Sequence, residues 1–124
     1  MLKFSYCKAL RFYIVILFLF ERTIIMNPKL KAFGAEELFK AILTLETVED
    51  CYAFFEDLCT VPELKAMAQR YAVADMLRNK KVYSEIVATT GASTATISRV
   101  NRSLMYGSDG YELVFNRLKE QEEA

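Results

Sequence analysis

The 124-residue chain has no histidine and only three cysteines, Cys7, Cys51 and Cys59. The cysteines form no CxxC pair and no disulfide framework, and without histidine the usual set of zinc ligands is missing. We therefore expect no metal and no resident cofactor. Cysteines without such patterns are typical of a reducing compartment, which predicts a cytoplasmic protein, and we interpret the three thiols as small buried hydrophobes.

The chain also contains only two prolines and four glycines. Sheets with many turns need more of both residues. From Ala35 onward the apolar residues recur at helical spacing, so the predicted fold class is all-α. A hydrophobic content of 53% in a chain of this length fills one core but not two, which predicts a single domain.

A glycine-rich phosphate loop is absent as well, which leaves carboxylates as the available catalytic chemistry. They occur in pairs at Glu36–Glu37, Glu49–Asp50 and Glu56–Asp57. We interpret these pairs as solvated faces and helix starts rather than as an active site. No enzymatic activity is expected.

Residues 1–25 differ from the rest of the chain. The apolar run from Phe12 to Phe20 follows basic residues, but its nine residues are too few for a membrane span, which needs about 20. No small-x-small cleavage site follows it, so export is not expected. We interpret residues 1–25 as an atypical extension before a true start at Met26, with residues 26–124 as the domain. The alternatives are a membrane or interfacial anchor and an extra core helix or strand, and contact with a membrane is expected only if residues 1–25 belong to the native protein.

Three helices are predicted before residue 80. The first covers about Ala35 to Leu45, the second follows the cap Thr47, and the third runs from the capping box 60–63 to about Asn79. The third helix is predicted to bury Leu64, Met67, Ala68, Tyr71, Ala74 and Leu77. The chain carries 16 Phe and Tyr residues, more apolar surface than short helices in one thin chain can cover. An interlocked homodimer is therefore expected, with an ordinary monomeric core as the alternative.

The segment Tyr83–Tyr106 has the pattern of a helix-turn-helix. Gly91 is predicted to end a short helix in the left-handed conformation, and Ser93 to cap the next helix. The residues predicted to pack the two helices together are Ile86, Val87, Ile97 and Val100. Val82 cannot cap the first helix, so we expect either a start shifted by a residue or two, or a Val82 side chain buried against the third helix.

In such a unit the N-terminal end of the second helix enters the major groove of DNA. Small side chains, hydroxyls and arginines at this end suit contacts to base edges and phosphates. Between residues 78 and 106 five basic residues accompany one acidic residue, whereas segments 26–77 and 107–124 are acidic, so the positive field is local although the net charge of the chain is zero. The residues predicted to contact double-stranded DNA are Lys80, Lys81, Ser84, Ser93, Thr94, Ala95, Thr96, Ser98, Arg99 and Arg102.

The pattern thus predicts a sequence-specific DNA-binding transcriptional regulator. Two alternatives stay open: a helix pair that is plain structure, and a helical module that binds a protein partner without reading DNA. The second alternative requires an apolar exposed face, and residues 94–98 are instead rich in hydroxyls.

Two segments, PELKAMAQRY (62–71) and GASTATISRVNRSL (91–104), together with Tyr106–Gly107, resemble the Trp-repressor-related YerC/YecD family. The resemblance covers about residues 35–118, and segment 91–104 is its most specific part. It implies an all-helical repressor dimer with interleaved N-terminal helices, whose two reading heads meet successive major grooves. It also implies a closing helix from Tyr111 to Leu118.

In the Trp repressor two arginines hold the corepressor, and the resemblance suggests Arg70 and Arg99 as the effector-binding residues here. Arg99 matches the arginine of the recognition helix, whereas Arg70 lies near the other one and an ungapped alignment places Gln69 opposite it. Val100 replaces a glycine, and its side chain could occupy space that an indole needs. Tryptophan is therefore not the expected ligand. A salt bridge or a phosphate contact is the expected role of the two arginines, and a different small-molecule corepressor is the alternative.

Overall fold

The computed structural model describes residues 27–124, and these residues form seven helices and no strand. In chain order the helices are α1 (Pro28–Ala32), α2 (Ala35–Ile42), α3 (Val48–Leu58), α4 (Val61–Arg78), α5 (Tyr83–Thr90), α6 (Thr94–Tyr106) and α7 (Gly110–Glu123). The all-α prediction is confirmed. None of these seven helices is both long and apolar enough to cross a membrane. The interpretations of residues 1–25 and of a start at Met26 lie outside the described residues.

Contacts divide the chain after Thr44, and the described residues before this point form the helix pair α1 and α2, which pack against each other. The predicted end of α2 at Leu45 is wrong, because the helix already ends at Ile42. The Thr44 hydroxyl and the Thr44 amide both donate to the carbonyl of Ala41, at 2.7 and 3.1 Å. Local bonds of this kind compete with the regular helical ladder and end the helix.

Helices α3 and α4 begin at the two caps that the sequence predicts. The Asp50 amide donates to the Thr47 hydroxyl at 3.1 Å, and the Asp50 carboxylate accepts from the Thr47 amide at 3.1 Å. The same reciprocal pair joins Thr60 and Glu63, with 2.7 Å between the Thr60 amide and the Glu63 carboxylate. The hydrogen bonds from the amides of Glu46 and Thr47 lower the pKa of Asp50, and those from the amide and hydroxyl of Thr60 lower the pKa of Glu63.

The core lies where α4 packs on α5 and α6. Its buried members are Val73, Ala74, Ile86, Ala92, Ile97, Val100 and Phe115. The predicted burial along α4 is only partly right: Ala74 is buried, Val73 was missed, and Ala68 and Tyr71 are exposed. Leu64, Met67 and Leu77 are half-buried. The reason is that the fully buried residues of α4 lie in its second half, whereas the prediction assumed one continuous stripe along the whole helix.

Helix α7 is attached to the end of α4 through Phe115 and Arg78. The Phe115 ring lies 5.3 Å from the Tyr71 ring, and the Arg78 guanidinium lies over Phe115 at 5.1 Å. Arg78 also donates to the Asn116 side chain at 2.8 Å and forms an ion pair with Glu112 at 3.5 Å. The predicted closing helix is therefore present, and it is longer than the predicted residues 111–118.

Replacement of Glu63 by glutamine tests the second capping box. A carboxylate with a lowered pKa stabilises the folded state above its unfolded pKa, about 4.3, and this contribution is lost as the pH falls through the folded pKa. Glutamine still accepts the hydrogen bond but does not titrate. We expect the wild type to be more stable than Glu63→Gln at pH 7, and the difference to shrink below about pH 4.3 in urea unfolding followed by circular dichroism. Glu120→Gln, at an exposed position on α7 outside both capping boxes and the ion pairs of the described residues, is the control. A difference independent of pH would contradict the prediction.

Candidate DNA-binding surface

The turn of the helix-turn-helix lies at Gly91, as predicted. Gly91 has a φ of 69°, and its amide donates to the Val87 carbonyl at 2.9 Å, which closes α5. A side chain at this position would meet no atom within 4 Å. The glycine is therefore needed for its left-handed backbone and not for lack of space.

Helix α5 starts without a side-chain cap. Val82 occupies the cap position with an extended backbone, and its carbonyl accepts from the amides of Glu85 and Ile86, each at 3.1 Å. Both expectations for Val82 are wrong: α5 begins directly at Tyr83, and the Val82 side chain is 62% exposed. Val87, predicted to pack between the two helices, is 38% exposed, and Ile86 is the residue of α5 that is fully buried in the core.

Ser93 caps α6 as predicted. Its hydroxyl accepts from the Thr96 amide at 3.1 Å and lies 3.0 Å from the Thr96 hydroxyl. Ile97 and Val100 point into the core. Nine of the ten residues predicted to contact DNA are exposed, and the tenth, Thr96, is half-buried with its hydroxyl engaged at the cap. The helix-turn-helix and the loop before it, residues 80–106, therefore present nine of the predicted residues on their surface. Thr96 instead takes part in the cap of α6.

Four exposed residues follow one face of α6 at helical spacing. They are Ala95, Ser98, Arg99 and Arg102, and together they line a shallow depression of about 240 Å³. Residues three, four and seven positions apart lie on one side of a helix. The face therefore combines a small side chain, a hydroxyl and two guanidinium groups around a concave surface.

The local positive charge is divided between structure and surface. Arg78 forms an ion pair with Glu112 in the first turn of α7, and Lys81 forms an ion pair with Glu85 at 3.2 Å. The ion pairs found among residues 27–124 do not involve three other basic residues of the unit, namely Lys80, Arg99 and Arg102. The five basic residues therefore differ in whether they are already paired with a carboxylate. The cations available for a ligand lie before α5 and on α6.

Lys80 has an unusual backbone, with a left-handed φ of 59°. Its amide donates to the Leu77 carbonyl at 2.9 Å, and the amide of Lys81 donates to the Met76 carbonyl at 3.0 Å. This pair of hydrogen bonds is the Schellman motif, in which glycine is the usual residue. The left-handed conformation costs a residue other than glycine about 1–2 kcal/mol. The Lys80 ammonium group is thus carried by a strained residue in the loop before α5. Strained residues concentrate at functional sites.

The residues suggested for an effector lie on α4 and α6. Arg70 and Arg99 are both exposed. Gln69 is half-buried instead, and its side-chain amide donates to the Thr90 carbonyl at 3.1 Å. The Val100 side chain is 2% exposed and belongs to the core. Sequence reasoning missed the bond between Gln69 and Thr90, because the partners are 21 residues apart and no local pattern connects them.

Comparison with known proteins places these features in one family. The family model for the Trp repressor protein matches residues 34–119. The chain is 52% identical over 94 residues to YerC, an uncharacterized protein of Bacillus subtilis strain 168, which covers 76% of this chain and 90% of YerC.

Two solved structures have the same fold with a TM-score of 0.72 each. One is a TrpR-like protein of Eubacterium eligens, which is 56% identical and covers 75% of this chain and 96% of its own. The other is a candidate Trp repressor of Staphylococcus aureus, which is 48% identical and covers 77% of this chain and 95% of its own. The chain therefore belongs to the Trp repressor family, a family of regulators rather than of enzymes.

Proposed function

We propose that the protein is a cytoplasmic, sequence-specific DNA-binding transcriptional repressor that reads the major groove with α6. The observation that carries the proposal is the exposed face of α6, where Arg99 and Arg102 are outside the ion pairs of the described residues. Ile97 and Val100 hold the opposite side of the same helix in the core. A helix fixed on one side, with donors and small groups on the other, is suited to contact base edges.

Each exposed group has a plausible chemical partner on a duplex. An arginine can bond to guanine O6 and N7 or neutralise a phosphate, and the Ala95 methyl can contact a thymine methyl. The hydroxyls of Ser84, Ser93, Thr94 and Ser98 can donate to phosphate oxygens or to bases. Lys80 lies just before α5 and is assigned to the phosphate backbone, where a point charge suffices. Lys81 is assigned there as well, and it would exchange its exposed partner Glu85 for a phosphate.

Selection from random duplexes, followed by affinity measurements at several salt concentrations, tests the proposal. We expect one enriched sequence, and a loss of about 1–3 kcal/mol in binding for Arg99→Ala or Arg102→Ala if the side chain bonds a base. A variant that removes a phosphate contact should also reduce the salt slope by about 1. Arg117→Ala, an exposed arginine on α7, is the matched control. The absence of any enriched sequence would favour the protein-interaction alternative.

Lys80→Gly separates stability from binding. Glycine removes the left-handed strain of about 1–2 kcal/mol, while its freedom in the unfolded chain costs about 0.5–1 kcal/mol. We expect the variant to be up to about 1 kcal/mol more stable in urea unfolding and yet to bind DNA more weakly, with a smaller salt slope. A stabilised variant with undiminished affinity would show that the Lys80 cation does not contact phosphate.

A homodimer is part of the proposal. Apolar side chains are widely exposed among residues 27–124: Phe33 and Leu43 are each 83% exposed, Val61 is 80% exposed and Tyr52 is 62% exposed. Val48, Tyr52, Phe55, Val61 and Leu64 line much of an apolar groove of about 610 Å³ on α3 and α4. Exposed apolar surface of this extent is typical of a protein–protein interface, and interlocking of two copies would cover it.

Tyr52→Glu tests the dimer. A carboxylate in the groove would have to be desolvated when the second copy binds, so we expect the wild type to sediment as a dimer and the variant as a monomer or a much weaker dimer. Tyr106→Glu makes the same change at a tyrosine that is 81% exposed and outside the groove, and it should leave the dimer intact. A wild type that sediments as a monomer at micromolar concentration would refute this part of the proposal.

For the effector, we propose that tryptophan is not the ligand. The proposal is supported by the Val100 side chain, which takes part in the core at the position where the Trp repressor has a glycine. A different small molecule could still use the exposed guanidinium groups of Arg70 and Arg99.

A further inference from the structure

Two side-chain hydrogen bonds in residues 27–124 join helices or turns that are distant along the chain. One connects Gln69 to Thr90, and the other connects Arg78 to Asn116. All other described side-chain hydrogen bonds link residues at most four positions apart. Helix α4 is thus hydrogen-bonded at Gln69 to the turn between α5 and α6, the two helices that form the reading unit. Near its C-terminal end α4 is also hydrogen-bonded to α7.

Thr90 is the centre of a small part-buried network at the turn. Its carbonyl accepts from the Gln69 side chain at 3.1 Å, and its hydroxyl donates to the Ile86 carbonyl at 2.7 Å. The same hydroxyl accepts from the Ala92 amide at 3.2 Å. Carbonyls in the last turn of a helix have no intrahelical partner, so Gln69 satisfies a group that α5 cannot satisfy itself. The network connects α4, the end of α5 and the residue before the cap of α6.

The hydrogen bond from Gln69 to Thr90 supplies a directional constraint that the apolar core lacks. Burial of Ile86, Ile97 and Val100 holds the two-helix unit against α4, but hydrophobic contact is non-directional and permits small rotations. A hydrogen bond weakens steeply when its distance or angle departs from the optimum. The Gln69 bond therefore limits rotation of the unit about α4.

We infer that Gln69 is a positioning residue that holds the turn at Thr90, and with it α6, in one orientation. The inference rests on the proposed function in so far as this orientation is the one that reads DNA. Gln69 carries no charge, and its side-chain amide is directed to the turn and not to the exposed face of α6. Its contribution to DNA affinity should therefore be independent of salt.

Gln69→Met tests the inference, because methionine has a similar length but cannot donate a hydrogen bond. We expect its affinity for the selected duplex to fall about 3- to 10-fold, the effect of one lost hydrogen bond, with an unchanged salt slope. Without DNA, the amides of residues 90–93 should exchange with solvent faster than in the wild type. Gln121→Met, at the other glutamine of the chain, lies on the exposed side of α7 and is the matched control.

Gln69→Leu provides a second variant if Gln69→Met is poorly folded. Leucine also cannot donate to the Thr90 carbonyl, and its shorter apolar side chain suits a half-buried position. We expect the same faster exchange and the same salt-independent loss of affinity. Unchanged exchange and affinity in both variants would overturn the inference. If the wild type binds no duplex but Gln69→Met still accelerates exchange at the turn, the DNA-binding proposal fails and the positioning role stands.

Discussion

The packing of α5 and α6 on the second half of α4 is the interaction on which the rest of the structure depends. Val73 and Ala74 of α4 are fully buried, together with Ile86 from α5 and Ile97 from α6. Loss of one such aliphatic side chain typically costs about 2–5 kcal/mol, which is a large part of the stability of a small domain. The exposed face of α6 has a defined position only because its opposite face is held in this core.

The basic residues of the reading unit have different tasks, which a count of charges does not reveal. Arg78 stacks on Phe115 and pairs with Glu112, so it contributes to the attachment of α7 rather than to a surface field. Arg99 and Arg102 share one exposed face of α6. The locally positive segment in the sequence is therefore real, but part of its charge is paired with carboxylates of the protein itself. Geometry, and not net charge, identifies the cations that can meet a phosphate or a base.

Local signals in the sequence predict the elements of this fold well, and non-local contacts are what they miss. The caps at Thr47, Thr60 and Ser93 and the turn at Gly91 were predictable because each depends on residues within four positions. Burial along α4 was not, since it depends on where other helices touch α4, and Tyr71 is exposed although it lies on the predicted stripe. The hydrogen bond between Gln69 and Thr90 was not predicted for the same reason, since its partners are 21 residues apart. The candidate site was predictable to the extent that it occupies one helix face, while its support from α4 was not.

The proposed dimer would place a stricter demand on orientation than a monomer would. Its two DNA-contacting units would have to match a groove spacing of about 34–36 Å at the same time, so a misalignment of the units would weaken both contacts. A head that rotates freely on α4 would have to be ordered by DNA on each occasion, which lowers affinity. The hydrogen bond from Gln69 and the buried Val100 side chain both act against such rotation, and together they favour a reader whose alignment is built into its own fold.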